Sequence, residues 1–411
     1  MTGGKKLKVL QLCHKMPFPL HDGGSVSLSG TALGLISAGV DVRVLAMDPV
    51  AFPADPGLVP GWFSEKTRIV SVGVDTRVSP AGALANLFSC RSYFVERFQS
   101  ADFDRALKKI LEEENFDIVH LEHIYLCLYI DTIRKHSTAK IVLRPQNVES
   151  DIWTAYLKCV RNPLKRGWLR IASERLLIYE REVAGRVDGI LAISPGDTGT
   201  FRNFAPGIPV QEVPPGFDPG IVGKTDPERQ YANFPLFYHL GSMDWRPNLQ
   251  GMGWFIGEVL PYLSERFPDF QLRIAGKKMP RSWFEKASQN LIVDGEVPDA
   301  NEYQEDKAVM VVPLLSGSGI RIKIIEAMAM GKTVISTSAG AGGIPCSNGE
   351  NILIADTKEQ FAEQIGRCMG SEEFCRKIGN RARELAFRHY DRAANAERMI
   401  TFYEMITKLN C

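Results

Sequence analysis

Val309–Pro345 reads VMVVPLLSGSGIRIKIIEAMAMGKTVISTSAGAGGIP. Its first four residues are apolar and mostly β-branched, as expected of a strand buried on both faces. Pro313 ends that run and a Ser/Gly bend follows. A helical pattern opens near Ile320, with Ile324, Ala327 and Met328 on one face. Gly331 stops the helix, and Thr333–Ser336 (TVIS) begins the next strand at once. Strand, loop, helix and second strand form the repeating unit of a doubly wound α/β sheet.

The same unit recurs outward in both directions. Upstream lie Leu236–Leu240 (LFYHL), a helix near Met252–Phe267 and Gln271–Ala275 (QLRIA). At the amino end, Lys8–Cys13 (KVLQLC) is a strand and Ser25–Ala38 a helix whose core face carries Leu28, Ala32, Leu35 and Ile36. Gly39 stops that helix, and Val40–Ala46 is the next strand. Asp117–Leu121, Lys140–Leu143 and Gly189–Ile193 continue the series, with one long helical region from Ser150 to Arg186 between the last two. Turn residues from Pro206 to Pro235 divide the halves, and about 386–409 is a final helix. A chain of 411 residues is too long for one ordinary core and suits two.

Composition narrows the function. Hydrophobic residues make up 45% and charged residues 24%, with a formal net charge of +1, so no global field points to nucleic acid. The eight cysteines form no CxxC pair and have no zinc-ligand spacing with the histidines; their scatter predicts buried, reduced thiols. The amino-terminal MTGGKKLKVLQLC has no long apolar segment or cleavage site, so it reads as a first strand, and no apolar run reaches about 18 residues. These features predict a cytoplasmic protein, peripheral at most. The peripheral element would be Tyr156–Arg175, a basic stretch containing Trp168 that suits an anionic membrane surface or an ordinary solvated helix.

The loop after Val312 has the chemistry of a diphosphate site. Gly317 and Gly319 permit close backbone approach on either side of Ser318, and the following helix start offers unpaired N–H donors. Arg321 and Lys323 add full positive charge. Glu326, one turn on, is placed to accept hydrogen bonds from both ribose hydroxyls. Gly23 and Gly24 after the first strand repeat the glycine-at-helix-start arrangement, but no GxGxxG occurs, which argues against a dinucleotide cofactor. Asp102-Phe103-Asp104 opens a helical run, where two acids are ordinary capping and metal binding is the minor alternative.

These segments resemble the family-four glycosyltransferases, retaining enzymes of the GT-B type. The resemblance rests on Pro313–Pro345, on Asp244–Asn248 (DWRPN), on Arg144–Trp153 (RPQNVESDIW), on Ile193–Asp197 (ISPGD) and on Val213–Asp218 (VPPGFD). It implies two Rossmann-like domains facing a cleft: residues 1–218, joined by a returning helix at about 390–411, and residues 219–389. The first would bind the acceptor and the second the nucleotide-sugar donor. The family usually has two glutamates with seven residues between them; Glu326 matches the second, and Ser318 stands where the first would be. Its usual Arg and Lys in the loop opening the second domain are reduced here to Arg246, followed by Asn248, so Arg321 and Lys323 are expected to hold the diphosphate. By the same resemblance Gly23 and Gly24 face the donor phosphates, His123 lies near the transferred sugar, and Gln146, Asn147 and Glu149 lie on the acceptor side. The implied activity is metal-independent, cofactor-free transfer from a nucleoside diphosphate sugar to a saccharide or polyprenyl-linked acceptor, in cell-envelope or exopolysaccharide synthesis. A nucleotide-sugar epimerase and a non-catalytic nucleotide-sugar-binding protein remain alternatives.

Overall fold

The computed structural model describes residues 6–408 apart from 21, 51–52, 90, 158–159, 223–225 and 317–318. Gly317 and Ser318 of the expected phosphate loop lie outside the described residues. The chain forms two compact units, Met1–Gly216 with Arg392–Cys411, and Phe217–Asp391.

In the first unit β1 (Lys8–Cys13), β2 (Asp41–Pro49), β3 (Val70–Val74), β4 (Ile118–Glu122), β5 (Lys140–Leu143), β6 (Gly189–Ala192) and β7 (Val210–Glu212) form a parallel sheet. The strand order is β3-β2-β1-β4-β5-β6-β7. Strand residues alternate between two cores. Leu10 and Leu12 enter one with Val119 and Leu121, and Val9 and Cys13 enter the other with Ile118. Covering both faces explains why these strands read as continuous apolar runs. The short β3 and β7 gave no such run, since most of their residues are only partly buried or exposed.

The second unit repeats the plan with β8 (Phe237–Leu240), β9 (Leu272–Ala275), β10 (Leu291–Gly295), β11 (Val309–Val312), β12 (Thr333–Ser336) and β13 (Leu353–Ile354), in the order β10-β9-β8-β11-β12-β13. Phe237 and Val311 face one core, and Tyr238 and Val312 the other.

Several helix limits depart from the sequence reading. The region Ser150–Arg186 is two helices, Glu149–Leu157 and Pro163–Ala184, because Pro163 can start a helix but cannot continue one. The helix expected near Met252–Phe267 begins at Arg246, loosens to a π-turn at Phe255–Val259 and resumes as Leu260–Arg266 with Pro261 in its first turn. The final segment is likewise broken, at Asp391, between Glu372–Tyr390 and Arg392–Lys408. The helix after β11 opens at Ile322, two residues later than its pattern suggested.

The helix Arg392–Lys408 belongs to the first unit and packs along Gly23–Ser37. Ala396, Met399, Phe402, Tyr403 and Ile406 join the core that holds Val9 and Leu28. Gly189 makes room for this helix: a Cβ there would lie 2.7 Å from the Phe402 ring.

Candidate functional site

Each sheet reverses its winding once. The reversal lies between β1 and β4 in the first unit and between β8 and β11 in the second. Loops leaving the carboxyl ends of such neighbouring strands diverge and leave a crevice, the usual ligand position in open α/β sheets. The chemically informative residues gather at these two places.

In the second unit the loop after β8 and the helix after β11 are tied together by Lys323. Its Nζ donates to Asn248 Oδ1 at 2.8 Å and to the Leu240 carbonyl at 3.4 Å. Asn248 is buried, and its Nδ2 holds the Ser242 carbonyl at 2.8 Å, so both ends of the amide are used. The packing is tight: a Cβ on Gly241 would lie 2.7 Å from Asn248 Nδ2 and 3.0 Å from Lys323 Nζ. Arg321 is buried at the helix start, donates to the Gly319 carbonyl at 2.7 Å and lies 5.4 Å from the centre of the Trp245 ring. Gly319 itself has φ +75°, a left-handed conformation that a glycine adopts without strain. Arg246 is exposed at the first position of its helix.

Burial shapes the charges. It pushes Lys323 down to about 7, helped by the neighbouring Arg321, and Arg321 itself down to about 10. Beneath them His239 donates Nδ1–H to the Val311 carbonyl at 2.7 Å and is held well below its ordinary range by burial and by Lys323, so it is neutral. Glu326 is pushed up to about 7 by burial and then by Asp218. Two partly desolvated cations surrounded by carbonyl and amide oxygens form a site that gains from a bound anion.

In the first unit Glu122 ends β4 and is fully buried. Its carboxylate accepts from Gln11 Nε2 at 2.9 Å, Gln146 Nε2 at 2.9 Å and Arg144 Nη1 at 3.4 Å. Burial opposes its charge, but Arg144 and then His120 outweigh that and hold the group below the ordinary carboxylate range. His120 also bonds to the Tyr403 hydroxyl of the carboxyl-terminal helix.

A second pair lies beside this cluster. His123 Nε2 is 3.3 Å from Glu149 Oε1, and its Nδ1 accepts from the Tyr125 N–H at 3.4 Å. Tyr125 donates its hydroxyl proton to Glu149 Oε2 at 3.1 Å. Glu149 is the first residue of its helix, where Glu180 accepts from the Glu149 and Ser150 N–H groups at 2.7 and 3.0 Å. The His14 ring stands 4.5 Å from that of His123. Burial holds His14 well below its ordinary range, with the charges of His123 and Lys15 next; donation from Nδ1 to the Glu122 carbonyl at 3.0 Å leaves Nε2 as a proton acceptor.

The structure thus brings Arg321, Lys323, Asn248, Gly319 and Glu326 into one neighbourhood of the second unit. In the first it groups His123 with Glu149 and ties Gln146 to Glu122. Asn147 lies partly buried in the same loop. Gly23 and Gly24 begin their helix behind the Asp22 cap, where a Cβ on Gly24 would lie 2.6 Å from Lys15 Nζ. Asp102 and Asp104 sit in the first turn of a helix capped by Ser100; Asp102 pairs with Arg105, and Asp104 accepts from Thr132. Among the described residues no group of three His, Cys, Asp or Glu side chains is placed to hold a metal ion. Sequence reasoning missed Glu122, Arg144, His14 and His239. Each is a polar residue in, or next to, an apolar run at the carboxyl end of a strand, and that was the available signal.

Two families account for most of the chain. Residues 22–216 match the glycosyl transferase 4-like domain, and residues 235–371 match the glycosyl transferases of group 1. The fold is that of the GT-B glycosyltransferases. Sucrose-phosphate synthase from Thermosynechococcus elongatus superposes with a TM-score of 0.72 at 15% identity over 98% of this chain and 100% of that one. Anabaena HepE in complex with UDP-glucose gives 0.63 at 15% identity over 97% and 100%. WaaG, a glycosyltransferase involved in lipopolysaccharide biosynthesis, gives 0.64 at 17% identity over 97% and 99%. An uncharacterized 44.6 kDa protein in the cps region of Klebsiella pneumoniae is 29% identical over 135 residues, which span 31% of this chain and 35% of that protein. The chain thus carries a glycosyl transferase 4-like domain followed by a group 1 glycosyl transferase domain.

Proposed function

We propose that the protein transfers a sugar, with retention of anomeric configuration, from a nucleoside diphosphate sugar to a saccharide or lipid-linked saccharide acceptor. The observation that carries the proposal is the pairing of buried Arg321 with half-buried Lys323 at the winding reversal of the second unit. The two cations hold the diphosphate and stabilise the charge that grows on it as the sugar leaves, which makes the reaction independent of a metal ion. Glu326 accepts from the ribose hydroxyls. His123, fixed by Glu149, stands on the acceptor-side unit with Gln146 and Asn147. HepE, solved with UDP-glucose, makes uridine diphosphate sugars the first donors to test. The lipopolysaccharide role of WaaG and the cps-region origin of the Klebsiella protein support a place in cell-envelope polysaccharide synthesis.

The test is release of free nucleoside diphosphate from candidate donors with and without saccharide acceptors. A transferase releases it in step with acceptor glycosylation. An epimerase changes the sugar without net release, and a binding protein does neither. Arg321→Ala is expected to lower turnover more than donor affinity, because leaving-group charge peaks in the transition state. Glu326→Ala is expected to weaken donor binding about tenfold, the scale of one charge-assisted hydrogen bond. An Arg321→Ala enzyme with undiminished turnover would remove the arginine from the reaction.

A further inference from the structure

The helix Pro163–Ala184 carries a row of residues that an internal core does not explain. Leu164, Ile171 and Ile178 recur every seven residues, the spacing that places side chains on one face of a helix, while Trp168 between them turns inward and packs edge-on against the buried Tyr93 and Phe94. Leu164 is 86% exposed, Ile178 is 65% exposed, and Ile171 is also exposed. A separate segment runs beside the row. Trp168 Nε1 donates to the Ala83 carbonyl at 3.1 Å, and Arg175 Nη1 donates to the Asn86 carbonyl at 2.7 Å. That segment, Pro80–Ala85 with Asn86–Phe88, presents Leu84 at 63% exposure and Phe88 at 92%.

Charge accompanies the apolar row. Residues 156–175 contain Lys158, Arg161, Lys165, Arg166, Arg170 and Arg175 against the single acid Glu174, although the whole chain is nearly neutral at +1. Arg161, Lys165, Arg166 and Arg170 are exposed. Large aliphatic and aromatic side chains standing in water, flanked by cations, complement a bilayer with anionic headgroups: the apolar groups enter the acyl boundary and the cations meet the phosphates.

We infer that this face, built from the start of Pro163–Ala184 and the segment 80–88, docks the protein on an anionic membrane surface. No helix among the described residues is long and apolar enough to cross a membrane, so the contact is peripheral. Basic charge makes the docking selective for lipid charge and sensitive to salt. Phe88 and Leu164 make it dependent on apolar insertion. The inference stands apart from the proposed activity, since docking needs no donor sugar.

The experiment is co-sedimentation of the full chain with vesicles of phosphatidylcholine alone or mixed with phosphatidylglycerol. Binding is expected only to the mixed vesicles and is expected to weaken with added salt. The double variant Lys165→Gln/Arg166→Gln is expected to lower partitioning about 30-fold, and Phe88→Ser with Leu164→Ser at least about tenfold. Calorimetry checks that both variants keep the parent unfolding temperature. Equal binding to neutral vesicles, absence of binding, or variants that bind like the parent would overturn the inference. So would a concentration-dependent dimer in solution that Phe88→Ser abolishes, because the face would then be covered by a second copy.

Discussion

At about 7, the Lys323 ammonium is half deprotonated at neutral pH in the free protein, and the cause is burial reinforced by Arg321. An arriving diphosphate reverses that balance and restores the charge. Donor binding at pH 8, where Glu326 at about 7 is already mostly ionised, is therefore expected to take up close to one proton; at pH 6 the lysine is already charged and the balance turns to release, as Glu326 ionises to accept from the ribose. Calorimetric titration in buffers of different ionisation enthalpy measures this directly, and uptake that persists in Lys323→Met would assign the proton elsewhere. Stability carries the same sign. The unfolded lysine titrates near the ordinary 10.5, so the unfolded chain binds more protons between about 7 and 10.5, and stability rises with pH in that window. The cost of burying the ammonium is fully present below about 7. Arg321, Lys323 and Glu326 were legible in the sequence because they follow a glycine-rich bend at a strand end. Glu122 and Arg144 were not, because a charge buried inside a strand pattern becomes interpretable only once its partners, 22 positions apart in the chain, are brought within 3.4 Å.

The helix Glu149–Leu157 shows how one element sets another's chemistry. Its first two N–H groups are held by Glu180 from the neighbouring helix, whose carboxyl burial pushes up to about 7. Glu149 in turn fixes His123 and Tyr125. Glu180→Ala is expected to cost about 1–3 kcal/mol and to fray the helix start, read as a lower unfolding temperature and faster amide exchange at residues 149–151. Because His123 then loses its orientation, acceptor kinetics are expected to suffer before donor affinity does. The sequence located this helix but ran it into the next, since polar spacing from Ser150 to Arg186 stays compatible with one helix until Pro163 is weighted. The long-range cap is invisible to pattern reading, as Glu180 sits 31 positions from the group it holds.

Across the whole molecule, the first unit closes only with the last helix. Met399, Phe402, Tyr403 and Ile406 are buried in its core, and each such side chain contributes about 1.5–3 kcal/mol. Their sum is comparable to the entire stability of a domain, about 5–15 kcal/mol. Ending the chain after Asp391 is therefore expected to abolish the first unfolding transition in calorimetry while leaving that of the second unit, which is continuous in sequence from Phe217 to Asp391. A first transition that survives the truncation would show that the helix is dispensable. Repeating strand–helix units made the two sheets readable from the sequence, whereas the attachment of the terminal helix followed from resemblance alone, because its apolar face does not say which core it joins. The arrangement also sets an order of events during synthesis. At about 5–20 residues per second, the ribosome takes roughly 10–40 s to pass from Gly216 to the end of the chain. Throughout that interval the β1–β7 sheet has emerged yet lacks its closing helix, so the later half of the message can complete its domain before the earlier half, and nascent chains in that window are where a chaperone would find exposed apolar surface.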